Sequence, residues 1–329
     1  MTPPTATEVA PDTRAAPAEP ATPAGRATTL RGRAPWHVAF TVVVLFCTAL
    51  LARHHWPVVE TGLARLAGAD PGWLLLGAIA TVSTWVCSAL AQQGAVAERL
   101  PFGRLVAAQF AASAANHLLP AGVGAGAVNL RFLTRCGLSV TRSATALAVK
   151  ATAGAVTRGA LIALLALAVP GLLRLPRASA VAAGAALLVA GGLVVLLCGP
   201  LRRALRAVLA DVRAVHRLPG RAAALWGASL GFAALHSLVV IAVSRSLGLP
   251  LPPGRVALAY LVASSAAVLL PTPGGLGSLD AALAFALALA GAPGSAAASV
   301  VLGYRLLTVW LPLIPGLVVL GLLLRRKGW

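Results

Sequence analysis

Leu118-Leu119-Pro120-Ala121-Gly122-Val123-Gly124 and Leu269-Leu270-Pro271-Thr272-Pro273-Gly274-Gly275-Leu276-Gly277 decide how this chain folds. Each breaks an apolar region, 104–136 in one case and 255–290 in the other, into two arms that are too short for a membrane crossing, which takes about 20 apolar residues. The two regions are copies. Gly103-Arg104 matches Gly254-Arg255 at an offset of 151 residues, the Leu-Leu-Pro triplets match at the same offset, and 11 of 24 positions between 103–126 and 254–277 are identical. This composition gives about three identities by chance. With three residues inserted in the second copy, the match runs on through Gly137 and Gly291 to Lys150-Ala151 and Tyr304-Arg305.

Working outward, six stretches are long and apolar enough to span: 35–52, 72–92, 145–172, 178–198, 222–247 and 297–324. Hydrophobic residues make up 59% of the chain and charged residues 11%, against about 45–50% and 25% in soluble domains, which excludes a water-soluble enzyme. The expected architecture is therefore an all-α polytopic membrane protein: six full spans plus two inverted-repeat, broken or re-entrant helical hairpins. Repeat 1 covers about 103–172 and repeat 2 about 254–324. Residues 1–34, rich in Pro, Ala and Thr, read as a disordered cytoplasmic tail, since they cannot bury enough surface to order themselves. Residues 200–221 form a basic loop, with Leu201, Leu205, Val208, Val212 and Val215 opposite a row of arginines; a helix lying on the cytoplasmic leaflet and an ordinary positive-inside loop fit it equally.

The net charge of +19 belongs to a membrane surface, and no nucleic-acid partner is expected. With a cytoplasmic N-terminus and hairpins that return to the side they left, 17 basic residues face the cytoplasm and six face outward; that bias orients the chain with both termini cytoplasmic. Three crossings separate the two copies, so they enter from opposite sides and form an inverted repeat. The cysteines Cys47, Cys87, Cys136 and Cys198 show no CxxC spacing and read as small packing residues. No metal site, cofactor or catalytic residue set is expected: the eight acids are scattered, and no HExxH, GxSxG or Walker motif is present.

Function is read from the breaks. Non-helical backbone at membrane depth survives only where protein or water pairs its N–H and C=O groups, so a break carrying Pro120, Gly122, Gly124 and Gly126, and another carrying Pro271, Pro273, Gly274, Gly275 and Gly277, predict a wet midplane cavity. The alternative is that these residues merely allow close helix packing. Few ionisable groups lie within the apolar segments. Lys150, Gly154 and Arg158 share one helix face; Arg131, Arg305 and the single acid Asp280 complete the set, with Tyr304 beside Arg305. Positive charge is in excess, which suits an anionic head group; an ion-pair clamp between hairpin and helix is the structural alternative. Asn116 and His117, ahead of the first break, read as packing or cavity lining; His54, His55 and His216 read as solvated, and His236 as bonding a neighbouring helix.

Leu270 to Gly277 followed by Asp280, then Gly303-Tyr304-Arg305-Leu306-Leu307-Thr308 and Trp310-Leu311-Pro312, resembles the C-terminal signature of the lysylphosphatidylglycerol synthase transmembrane-region family, also called the flippase-like domain family. The resemblance spans about 35–325 and implies a multi-pass protein of the bacterial cytoplasmic (inner) membrane, with lipid flipping known for relatives fused to an aminoacyltransferase domain. That domain is not in this sequence, so lysylphosphatidylglycerol synthesis is not expected. Relatives carry Glu where Asp280 stands, an acid followed by Arg where this chain has Lys150-Ala151, and an acid ahead of Arg131 where it has Gly126. The expectation is a non-enzymatic translocase for an anionic phospholipid or a polyprenyl-phosphate-linked lipid, its partners being membrane lipids. The alternative is a non-catalytic scaffold for a separate glycosyltransferase or aminoacyltransferase.

Overall fold

A computed structural model describes residues 56–118, 123–168, 210, 212–213, 216–268 and 277–325. The expected tail 1–34, the spans at 35–52 and 178–198, most of the 200–221 loop, and Pro120, Gly122, Pro271, Pro273, Gly274 and Gly275 lie outside these residues.

Every regular element among the described residues is helical: α1 (Trp56–Ala67), α2 (Pro71–Gly94), α3 (Phe102–Leu118), α4 (Val123–Arg135), α5 (Val140–Ala168), α6 (Pro219–Ser246), α7 (Pro253–Ala267), α8 (Ser278–Leu289), α9 (Gly294–Arg305), a π-helical turn (Leu306–Trp310) and α10 (Leu311–Arg325). Four runs are long and apolar enough to cross a membrane: α2, α5, α6 and Gly294–Leu322. They coincide with four of the expected spans. The hairpin arms are shorter, at 17 and 13 residues for α3 and α4, and 15 and 12 for α7 and α8.

Local chemistry sets the helix ends. Asp70 precedes Pro71 and its Oδ1 accepts from the N–H groups of Gly72 and Trp73 at 2.7 and 3.3 Å, satisfying two of the donors that open α2. At the other end of α2, Arg221 donates to the carbonyls of Gln93, Ala97 and Glu98, so one guanidinium from the start of α6 closes the α2–α3 connector.

Helices α2 and α6 pack antiparallel. A Cβ on Gly94 would stand 2.4 Å from the backbone nitrogen of Leu225, and one on Gly77 would meet Ala242; the N–H of Asp70 donates to Ser246 O at 3.0 Å. Within a bilayer, where lipid tails are as apolar as leucine, such small-residue contacts supply the close van der Waals packing that joins helices. Helix α2 leads into the first hairpin and α6 into the second.

The repeat is visible in the turns themselves. Helices α4 and α8 both end in a glycine at positive φ, Gly137 at 93° and Gly291 at 107°. In each, the glycine N–H bonds three residues back (Gly137 to Thr134, Gly291 to Ala288) and the next N–H bonds five back (Leu138 to Leu133, Ala292 to Leu287). This is one Schellman ending made twice, 154 residues apart, with Leu133 and Leu287 buried beneath it. Counting back along the unbroken helices places Gly126 opposite Asp280. The three extra residues of repeat 2 thus sit in the break, ahead of Ser278, and not after Gly277 as the sequence match alone suggests. Helix α3 packs on α4 and α10, and α7 correspondingly on α8 and α5.

Candidate functional site: a polar cavity between the repeats

Apolar helices leave polar side chains only a few places to meet, and here they surround a cavity of about 360 Å³. Thr81, Thr84, Trp85 and Ser88 come from α2; Gln109, Asn116 and His117 from α3; Asn129 from α4; Lys150 from α5; Phe232 and His236 from α6; Tyr304, Arg305 and Thr308 from the last span. Both repeats therefore build its wall.

On the repeat 1 side the wall is a continuous network. Lys150 Nζ donates to Ser88 Oγ at 2.9 Å and to Gln109 Oε1 at 3.2 Å. Ser88 Oγ donates to the same Gln109 oxygen at 2.7 Å, Gln109 Nε2 donates to Asn129 Oδ1 at 2.8 Å, and Asn129 Nδ2 donates to Ala125 O. All the acceptors around the ammonium are neutral. The polar groups of three helices are thus tied to one cation, as a buried network requires if its members are not to be left unpaired.

On the repeat 2 side, Arg305 Nε donates to Asp280 Oδ1 at 2.5 Å, with the arginine side chain buried and the carboxylate 30% exposed. Asp280 Oδ2 accepts the N–H of Gly277 at 2.8 Å, so the same carboxylate caps α8. Tyr304 OH donates to Tyr260 OH at 3.3 Å, and the His236 ring stacks parallel to Tyr260, 6.1 Å between centroids. His236 Nδ1 lies 3.1 Å from Phe232 O of its own helix, a local bond where a neighbouring helix was expected. The π turn begins directly after Arg305. Pro312 cannot donate to Thr308 O, and the widened turn accommodates that missing bond.

The expected site residues separate on inspection. Lys150, Tyr304 and Arg305 line the cavity, and Asp280 holds Arg305 from behind the wall. Arg158, two turns beyond Lys150, is half-buried, within electrostatic reach of His236 and Tyr260, and its Nε has no partner. Arg131 is not brought to the cavity: Asn129, Phe132 and Leu133 form the buried face of α4 and leave Arg131 exposed. Among the described break glycines, Gly124 has a packing reason, because a Cβ there would lie 2.1 Å from Ala115 O, whereas Gly126 faces open space. Cys87 and Cys136 are free and partly buried. Exposed His216 accepts from Trp226 Nε1 at 2.7 Å and so is tied to α6 instead of simply solvated.

Sequence reading missed Ser88, Gln109, Asn129 and the π turn. A signal for Gln109 existed: it stands 151 residues before Tyr260, as Lys150 stands 154 before Tyr304, so the two repeats bring the same pair of positions into contact.

The matching family model is that of the lysylphosphatidylglycerol synthase TM region, and it covers residues 36–316. The chain belongs to this family. No curated protein matches it. Family membership and the four long apolar helices make the chain a multi-pass membrane protein of the flippase-like type.

Proposed function

We propose that this flippase-like protein moves an anionic lipid, a phospholipid or a polyprenyl-phosphate-linked lipid, between leaflets without making or breaking a covalent bond in it. One observation carries the reading. A cavity walled by both repeats holds an ammonium, Lys150, surrounded by neutral oxygens, and across from it a guanidinium, Arg305, already engaged by Asp280. In a low-dielectric setting an uncompensated cation attracts a phosphate strongly, while a paired one can exchange partners. The opposed sense of α2 and α6 supports an inverted repeat, the design that lets a central site open to alternate sides. In this reading the protein lies in a bacterial inner membrane with both termini cytoplasmic, its hairpins are re-entrant, and Asp280 and Arg305 form the switchable pair.

The test is transfer of fluorescent phosphatidylglycerol between leaflets of vesicles holding the purified protein. Asp280→Asn and Arg305→Ala are each expected to slow it at least about tenfold, the equivalent of about 1.4 kcal/mol. Unchanged transfer in both variants overturns the assigned roles. No transfer by the native protein, together with co-purification of a glycosyltransferase or aminoacyltransferase, favours a scaffold.

A further inference from the structure

Six buried side-chain atoms in the described residues lack a hydrogen-bond partner in the protein, and four of them fall in one short stretch: Nε2 and Oε1 of Gln92, Oγ of Ser143 and Oε2 of Glu98. Gln92 and Ser143 are fully buried. Their placement follows from how α2 and α5 pack. Ser88 meets Lys150 at one level, and Glu98, just past α2, meets Arg142, near the start of α5, at 2.6 Å at another. The two helices are therefore antiparallel, and Gln92 and Ser143 lie between those levels. The Glu98–Arg142 pair is the solvent end, with side chains 41% and 55% exposed. A buried amide with both ends unsatisfied costs several kcal/mol unless water bonds it. The row from Glu98 past Ser143 and Gln92 to Ser88 thus has the chemistry of a hydrated path, and it ends on Lys150.

The surroundings of Lys150 suit a proton acceptor. No ion pair of Lys150 occurs among the described residues, and its partners, Ser88 and Gln109, are neutral. The charged or titratable groups on the packed elements are Cys87 of α2, Arg104 and His117 of α3, Arg221, His236 and Arg245 of α6, Arg255 and Tyr260 of α7, Tyr304 and Arg305 of α9 with Asp280 of α8, Arg142 and Arg158 on α5 itself, and Glu98 and Arg99 beyond α2. Asp280 is occupied by Arg305 and Glu98 by Arg142; α4 presents only exposed Arg131 and Arg135. At the equivalent place repeat 2 carries Tyr304, a neutral group with the same kind of contact, so the fold accommodates an uncharged side chain there.

We propose that the α2–α5 seam is a water-filled proton route from the face where α2 ends to Lys150, and that this lysine binds and releases one proton per lipid moved. On uptake the Nζ lone pair forms an N–H bond with a proton delivered by water, and the ammonium holds the lipid phosphate. On release the bond pair stays on nitrogen, Ser88 Oγ turns its hydrogen toward the amine, and the proton leaves with water. Since only the protonated state favours the anion, the two equilibria are linked reciprocally. The coupling rests on the translocase reading; the route does not.

The experiment uses the full chain in phosphatidylcholine vesicles carrying trace fluorescent phosphatidylglycerol and a transmembrane gradient of one pH unit. One-to-one coupling shifts the leaflet ratio of the probe about tenfold at steady state. Lys150→Met, Gln92→Leu and Ser143→Ala are expected to abolish that bias. A native protein that equalises the probe regardless of the gradient, or variants that keep the bias, overturn the coupling. If the native protein moves no lipid, the translocase reading fails, and the route is judged separately. In a cysteine-free background, Ser143→Cys and Gln92→Cys should react with a membrane-impermeant methanethiosulfonate from the α2-end face; thiols that stay unmodified overturn the route as well.

Discussion

In repeat 1, Lys150 meets Gln109; in repeat 2, the equivalent Tyr304 meets Tyr260. The paired positions and the Schellman endings agree, yet one contact is a cation on an amide and the other a pair of phenols. The ion pair differs as well. Asp280 and Arg305 join α8 to α9, while the equivalent Gly126 and Ala151 are uncharged and exposed. A duplicated backbone fixes where side chains meet, and each copy then spends those meeting points on different chemistry.

The sharpest way to break this asymmetry is Arg305→Ala. It strips Asp280 of its cation in a largely apolar setting, and the expected loss is about 3–4 kcal/mol by thermal unfolding in detergent, far beyond anything at the corresponding Ala151. Asp280→Asn in the same background should restore part of it; no restoration would show that the loss is one of arginine packing.

Next in size is a contrast within repeat 1. Gly124→Ala forces a methyl against the backbone of Ala115 and should cost about 3 kcal/mol, while Gly126→Ala, two residues on and facing open space, should be neutral within about 0.5 kcal/mol. Equal unfolding temperatures for the two variants would mean that the α3–α4 approach is looser than described.

The equivalence of the turns is tested by Gly137→Ala and Gly291→Ala. Each places a Cβ on a residue at positive φ and should lose about 1 kcal/mol, the two losses agreeing closely, as chemical denaturation can measure. A small effect is also expected of Tyr304→Phe. Tyr260 keeps a side-chain hydrogen bond to Ser264, so stability should fall by less than about 1 kcal/mol. A larger loss would mark the phenol pair as a structural clasp of repeat 2 with no counterpart in strength at Lys150 and Gln109.

Much of the fold was legible before any coordinates. The spans at 72–92, 145–172, 222–247 and 297–324 follow from apolar run length, and Gly137 and Gly291 follow from the internal match, because a left-handed helix end is a local demand that one residue type answers. Less of the site was legible. Lys150, Asp280 and Arg305 stood out as charges in apolar runs, but Arg131 did so too, and it lies on the wrong face of α4. Gln109 and Asn129 gave no such signal, since single neutral amides in a helix carry no charge penalty to explain.

Sequence alone settled that this chain must be helical and membrane-embedded and that it contains one unit twice, because hydrophobic length, proline and glycine act over a few residues or repeat at a fixed spacing. Tertiary structure decided that Ser88, Gln109, Asn129 and Lys150 form one network, that Asp280 closes on Arg305, and that the extra residues fall ahead of α8. Helical periodicity tells which side chains share a face; only the packing of one helix against another tells what that face meets.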